Sequence, residues 1–126
     1  MTNLLATQDN YPHQNDPTWS RLEKAIARKT FDAALGRELH EVIQETKQKA
    51  NQINESADLW ELEHCLTLRR KEIDRKYDYR YSELTNVFGR LLHEGRLSEE
   101  ELRSLGEDKR KSIRSFAKFL AEDTAA

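Results

Sequence analysis

From Leu22 onwards, apolar side chains recur at steps of mostly three and four residues: Leu22, Ala25, Ile26, Phe31, Ala34, Leu35, Leu39, Val42, Ile43, Ala50 and Ile53. That is the spacing of one helix face. Ser20-Arg21-Leu22-Glu23 opens the stretch as a capping box, in which Ser and Glu side chains reciprocally satisfy exposed backbone N–H groups. No proline interrupts it, and Gly36 weakens it by about 1 kcal/mol relative to alanine without ending it. The pattern predicts a helix to about Ile53, on the order of 50 Å long at the rise per residue of an α-helix.

A second stripe, Leu59, Leu62, Leu66, Ile73, Tyr77, Leu84, Phe88 and Leu91, predicts another long helix running to about Leu92. Ser56 is placed to cap it and Asp58 to favour the positive end of its dipole, while Gly95 supplies the stop. Ser98-Glu99-Glu100-Glu101 is a second capping box, opening a short helix that Gly106 closes. A last helix starts near Asp108 and carries Ile113, Phe116, Ala117 and Leu120. Residues 1–16 are polar, without Lys or Arg, and read as a flexible tail ahead of a single helical domain over 17–122.

Composition sharpens this. The chain has 126 residues, enough for one domain, with 37% hydrophobic and 35% charged residues. Typical domains hold roughly 45–50% and 25%, so surface is plentiful here and core is scarce. Two long helices with narrow apolar stripes cannot bury enough area alone, since a large side chain yields only about 1.5–3 kcal/mol. The expectation is an all-α homodimer paired through the two long helices, with two short helices besides. Its 21 Lys and Arg against 23 Asp and Glu give a net charge of −2, which speaks against a nucleic-acid binder. A single cysteine, Cys65, rules out an internal disulfide framework. No apolar run approaches the roughly 20 residues of a membrane span, and no secretory signal opens the chain, so the expected location is cytoplasmic.

Candidate chemistry is thin. Glu61-Leu62-Glu63-His64 is an E-x-x-H, but di-metal bundles need two such motifs and only one is present. Cys65 points about 100° away from His64 and reads as a small packing residue. There is no nucleophile elbow and no Gly-rich phosphate loop. The expectation is no metal, no catalytic residue and no enzyme activity. The run Arg69 to Arg80 holds six positive and three negative charges, with tyrosines at or just past its end. It reads as a helix face with a Glu72–Lys76 pair, or as a surface for phosphates and stacked bases. Residues 98–105 and 108–120 have helix-turn-helix lengths, yet the second lacks base-reading side chains. Trp60 is more informative. It borders the apolar stripe on an arc with Glu63, His64, Thr67, Arg70 and Lys71, the composition of an interface anchor, or else it completes the core of the domain or of its dimer.

The segment from Ala57-Asp58-Leu59-Trp60 through Arg70-Lys71-Glu72-Ile73-Asp74-Arg75-Lys76-Tyr77-Asp78 resembles the cyanobacterial fluorescence recovery protein family. The likeness continues through Val87-Phe88-Gly89-Arg90-Leu91-Leu92-His93-Glu94-Gly95, then Glu100-Glu101-Leu102 and Asp108-Lys109, and extends back to Trp19-Ser20, Phe31 and Arg37-Glu38-Leu39. The resemblance implies an all-helical homodimer of long paired helices with a small head of short helices at the far end, assembly beyond the dimer being left open, that binds the C-terminal domain of the orange carotenoid protein. It implies faster return of that protein from its light-activated red form to the orange form, and its release from the phycobilisome. That brings the cytoplasmic protein to the thylakoid periphery. The family carries no cofactor, since the carotenoid belongs to the partner. Its functional patch maps onto Trp60 and Arg70 outright. Where the family has a His–Asp pair this chain has Glu63 and His64, and where it has an aromatic in the head this chain has Asn86. Asn86 and Phe88 are the head positions offered for partner contact. The same substitutions suggest the alternative of a like-folded dimer regulating a different protein.

Overall fold

The computed structural model describes residues 18–125, so the expected tail over 1–16 lies outside the described residues. Among them every regular element is helical: α1 (Arg21–Asn51), α2 (Ser56–Lys76), α3 (Leu84–His93), a 3-10 turn (Glu100–Leu102) and α4 (Glu107–Ala125). The capping box at the start of α1 is formed, with Ser20 Oγ accepting from the Glu23 N–H and Glu23 Oε1 from the Ser20 N–H. At α2 the cap falls one residue earlier than expected. Glu55 is the cap, Ser56 is the first helical residue, and Asp58 Oδ2 accepts from the N–H groups of Asn54 and Glu55.

The expected continuous helix from Ser56 to Leu92 is two helices. α2 ends at Lys76, and residues 77–83 form an extended strap and turn before α3. Tyr77, Tyr79 and Tyr81 alternate, so an extended chain turns all three to one side, where a helix would scatter them. All three pack on α1 and its entry. Tyr77 and Tyr79 meet Phe31 edge-on at 5.4 and 4.8 Å, and Tyr81 lies 5.8 Å from Trp19. Arg28 lies over the Tyr79 ring at 3.7 Å, and Trp19 Nε1 donates to the Tyr81 carbonyl. Burial first, then the neighbouring Tyr81 hydroxyl, pushes the Tyr79 phenol up to about 12. The three rings are therefore engaged in packing on α1 and its entry.

The short helix expected over 98–105 is only the 3-10 turn. Its capping box is present, Glu101 Oε1 accepting from the Ser98 N–H at 2.9 Å. Successive i to i+3 bonds carry the chain to Leu105. Three residues per turn bring Leu102 and Leu105 onto one side, and both are buried. No helix-turn-helix results.

These pieces enclose a head. Phe88, Leu84 and Leu91 of α3 and Ile113 of α4 are wholly buried against Trp19, Ala27, Phe31 and Ala34 from the first half of α1. α3 and α4 approach closely at Gly89, where a Cβ would sit 2.9 Å from the Ile113 carbonyl oxygen. α3 ends as the sequence expects: Gly95 has φ of 76°, and the N–H groups of Gly95 and Arg96 return to the carbonyls of Leu92 and Leu91. Buried Glu23 fastens the far side, accepting from the Gly106 N–H at 2.7 Å and lying 3.1 Å from Lys109 Nζ. Lys109 also donates to the Thr18 carbonyl. Burial pushes the Glu23 carboxyl up, but the Ser20 and Gly106 N–H groups and Lys109 outweigh it and hold it below its ordinary value.

Candidate functional site

Beyond the head, α2 lies along the second half of α1 as an open arm. Of its 21 residues only Ile73 is buried. Leu59, Trp60, Leu66 and Leu68 of α2, with Leu39 and Ile43 of α1, remain exposed. An open groove of about 480 Å³ runs along one side, lined by Leu35, Leu39, Ile73 and Arg70 among others. Another of about 460 Å³ runs along the opposite side past Thr46, Cys65 and Leu68. Val42, Leu66 and Arg69 border both, which places them on the seam between the helices.

The predicted site residues of α2 come to the surface. Trp60 is 62% exposed, so it takes no part in the core of the single chain. Glu63 and His64 are exposed too. The Arg70 side chain is 84% exposed, with Asp74 4.0 Å away. Trp60, Glu63, Thr67 and Arg70 follow at steps of three, four and three, one continuous strip of helix surface with His64 on its flank. Cys65 is half-buried, its Sγ 3.5 Å from Glu61. Among the described residues no cluster of three or more His, Cys, Asp or Glu could hold a metal ion, and no helix is long and apolar enough to cross a membrane.

In the head, the two expected contact positions separate. Asn86 is exposed and borders a polar cleft with Arg75, Glu83, Arg90 and Phe116. Phe88 is 0% exposed, and its assignment as a surface contact is corrected. One face of α3 is apolar through Leu84, Phe88 and Leu91, and Phe88 stands at the centre of that face, under α4 and α1.

Sequence reasoning missed the polar hub that joins arm to head. Lys76 does not pair with Glu72. Its Nζ lies 2.9 Å from buried Glu38 of α1 and 2.8 Å from Glu94 beyond α3. Tyr77 donates to Glu38 at 2.8 Å, and Arg96 Nε is 3.2 Å from the same carboxylate. Arg96 also meets Glu41 at 2.8 Å and Glu94 at 2.9 Å. Burial, then the Glu38 carboxylate, holds the Tyr77 phenol above its ordinary value. Glu41 is held low by hydrogen bonds from Arg96, and Glu94 by Lys76 and Arg96 against the upward push of burial. The signal available was spacing: Glu38, Glu41 and Glu45 fall on one side of α1, as Arg69, Ile73 and Lys76 do on α2.

With that geometry in place, comparison with known proteins is direct. Residues 19–117 match the family model described as photoprotection regulator fluorescence recovery protein. The fluorescence recovery protein of Synechocystis sp. PCC 6803 is 40% identical over 101 residues, 80% of this chain and 93% of that one. Its solved structure superposes with a TM-score of 0.76 at 40% identity, covering 80% of this chain and 99% of the other. The structure of the Fremyella diplosiphon fluorescence recovery protein gives 0.76 at 42% identity, with the same coverage. The chain belongs to the fluorescence recovery protein family of photoprotection regulators.

Proposed function

We propose that this chain acts as a homodimer that binds the light-activated red form of the orange carotenoid protein through that protein's C-terminal domain. It speeds the return to the orange form and promotes release from the phycobilisome, restoring antenna fluorescence. No bond is made or broken by the chain and it holds no cofactor, the carotenoid being the partner's. Accelerating the reversion requires only that the chain bind its transition state more tightly than the red state. Trp60 and Arg70 anchor the contact, modulated by Glu63 and His64. The protein works in the cytoplasm and reaches the thylakoid surface only through the phycobilisome.

The observation that carries this reading is the family match across residues 19–117, which includes the exposed strip from Trp60 to Arg70. The test is the dark recovery of photoactivated orange carotenoid protein, followed by absorbance with and without substoichiometric chain. Faster red-to-orange conversion is expected, and it should be lost in a Trp60→Ala, Arg70→Leu double variant. No acceleration by the parent chain would favour a second reading, the same dimer serving another protein partner. The features that favour that reading are exposed Glu63, His64 and Asn86, where the family's pattern has other residues.

A further inference from the structure

Two charged layers sit where a helix pair ordinarily places apolar side chains. In α2, Leu59, Leu62, Leu66, Arg69, Ile73 and Lys76 alternate at steps of three and four, the seam pattern of a helix laid against a neighbour. In α1, Ala27, Phe31, Ala34, Glu38, Glu41 and Glu45 follow the same alternation. The seam therefore turns from apolar to ionic midway. Arg69 Nη2 lies 3.2 Å from Glu41 and 3.7 Å from Glu38, and Nη1 lies 3.5 Å from Glu45. Lys76 meets Glu38 again at the base of the arm.

An arm that buries one apolar residue has little interlocking core to stop it rolling or sliding. A charged layer resists both motions, because displacement pulls Arg69 away from Glu41 and Glu45 and Lys76 away from Glu38, whose side chain is only 2% exposed. The alternative arrangement is close at hand. Arg70 follows Arg69 directly, about 100° further round the helix. A roll of that size would bring Arg70 to the three carboxylates and turn the strip carrying Trp60 and Glu63 with it.

We propose that Arg69, held by Glu38, Glu41 and Glu45, is the positioning residue that fixes the register and rotation of α2, so that Trp60, Glu63 and Arg70 present one outward strip. Its functional consequence rests on the regulator reading above, while its structural half stands by itself.

The test uses the full chain with Arg69→Gln and Arg69→Lys, each read in two ways. One is the rate of intrachain disulfide formation between native Cys65 and a cysteine introduced as Lys49→Cys, since both positions border the same groove. The other is the maximal acceleration of carotenoid-protein recovery. Arg69→Gln should slow bridging and reduce the acceleration by about fivefold or more, with helix content unchanged, and Arg69→Lys should restore part of both. Bridging at the parental rate in Arg69→Gln, or no rescue by Lys, overturns the proposal. A parent chain that fails to accelerate recovery removes the regulator reading, and bridging alone then decides the positioning role. Should Arg69→Gln lose helix content, Glu45→Gln takes its place. Its half-exposed carboxylate pairs with Arg69, and its loss should slow bridging about twofold. An unchanged rate there counts against the proposal.

Discussion

Head and arm hold their helices by different means. The head encloses Leu84, Phe88, Leu91 and Ile113 completely, drawing on α1, α3, α4 and the 3-10 turn. The arm spans 21 residues of α2 and encloses Ile73, leaving the remainder to ion pairs and open grooves. Apolar enclosure is non-directional and strong, whereas ion pairs fix direction and yield little net stability. The arm is directed but largely uncovered, with Leu59, Trp60, Leu66 and Leu68 exposed.

The largest expected contrast comes from truncating one side chain in each region. Phe88→Ala should cost about 3–5 kcal/mol, because it empties a fully enclosed site. Leu68→Ala, at a position 53% exposed, should stay within about 0.5 kcal/mol. Urea unfolding of both variants at one protein concentration reads the difference, and comparable losses would break the division into head and arm. Dilution gives the next largest effect. If a second copy covers the arm, a hundredfold dilution should raise the free-monomer fraction, and with it amide exchange along residues 59–70, by about tenfold. Exchange in α3 should not move. Equal responses, or none in α2, would remove the dimer from the picture.

Much of the head was legible because its signals are local. The two capping boxes, the stop at Gly95 and the apolar face of α3 each lie within a few residues of sequence, and each formed. The break after Lys76 was not legible. Tyr77 continues the helical stripe of α2, and only Phe31 and Trp19, some 46 and 62 positions before their tyrosine partners, make the alternation of the three rings pay as an extended strap. The same distance hid Glu38. A Glu in a polar-looking helix reads as solvated until Lys76, Tyr77 and Arg96 arrive from other elements. Of the site, helical spacing put Trp60 and Arg70 on one arc but left open whether Trp60 joins a core, and the exposure of both side chains appears only in the folded chain. Phe88 was placed on the apolar stripe by spacing, as the structure has it, and only its naming as a head contact overlooked that stripe.

Gly36 sharpens the comparison from within α1, midway between the two regions. A Cβ there would have no heavy atom within 4 Å. Gly36→Ala should therefore raise stability by about 0.8–1 kcal/mol, through the backbone entropy glycine loses on folding. A gain in the urea midpoint is the expected result. A loss would place Gly36 inside a close contact between copies, moving the boundary of the covered arm toward the head.

The smallest effect tests the strut between α1 and the 3-10 turn. Arg37 Nη2 lies 2.6 Å from Glu101 Oε2, and its Nη1 donates to the Arg96 carbonyl at 2.7 Å. The Arg37 hydrogen bond holds the Glu101 carboxyl below its ordinary 4.5. A carboxylate with a lowered folded-state pKa contributes stability that is full above the unfolded value and disappears as pH falls through the folded one. Glu101→Gln should thus cost about 0.2–1 kcal/mol at neutral pH, the range of a partly exposed ion pair. Below the lowered value of Glu101 the parent carboxyl is protonated as well, and the two proteins should converge. Unfolding midpoints of parent and variant, compared from neutral pH downwards, carry the result. A gap that persists undiminished in acid would mean that Glu101 acts through its bond to the Ser98 N–H, which orders the turn, and that charge contributes nothing to joining α1 to the head.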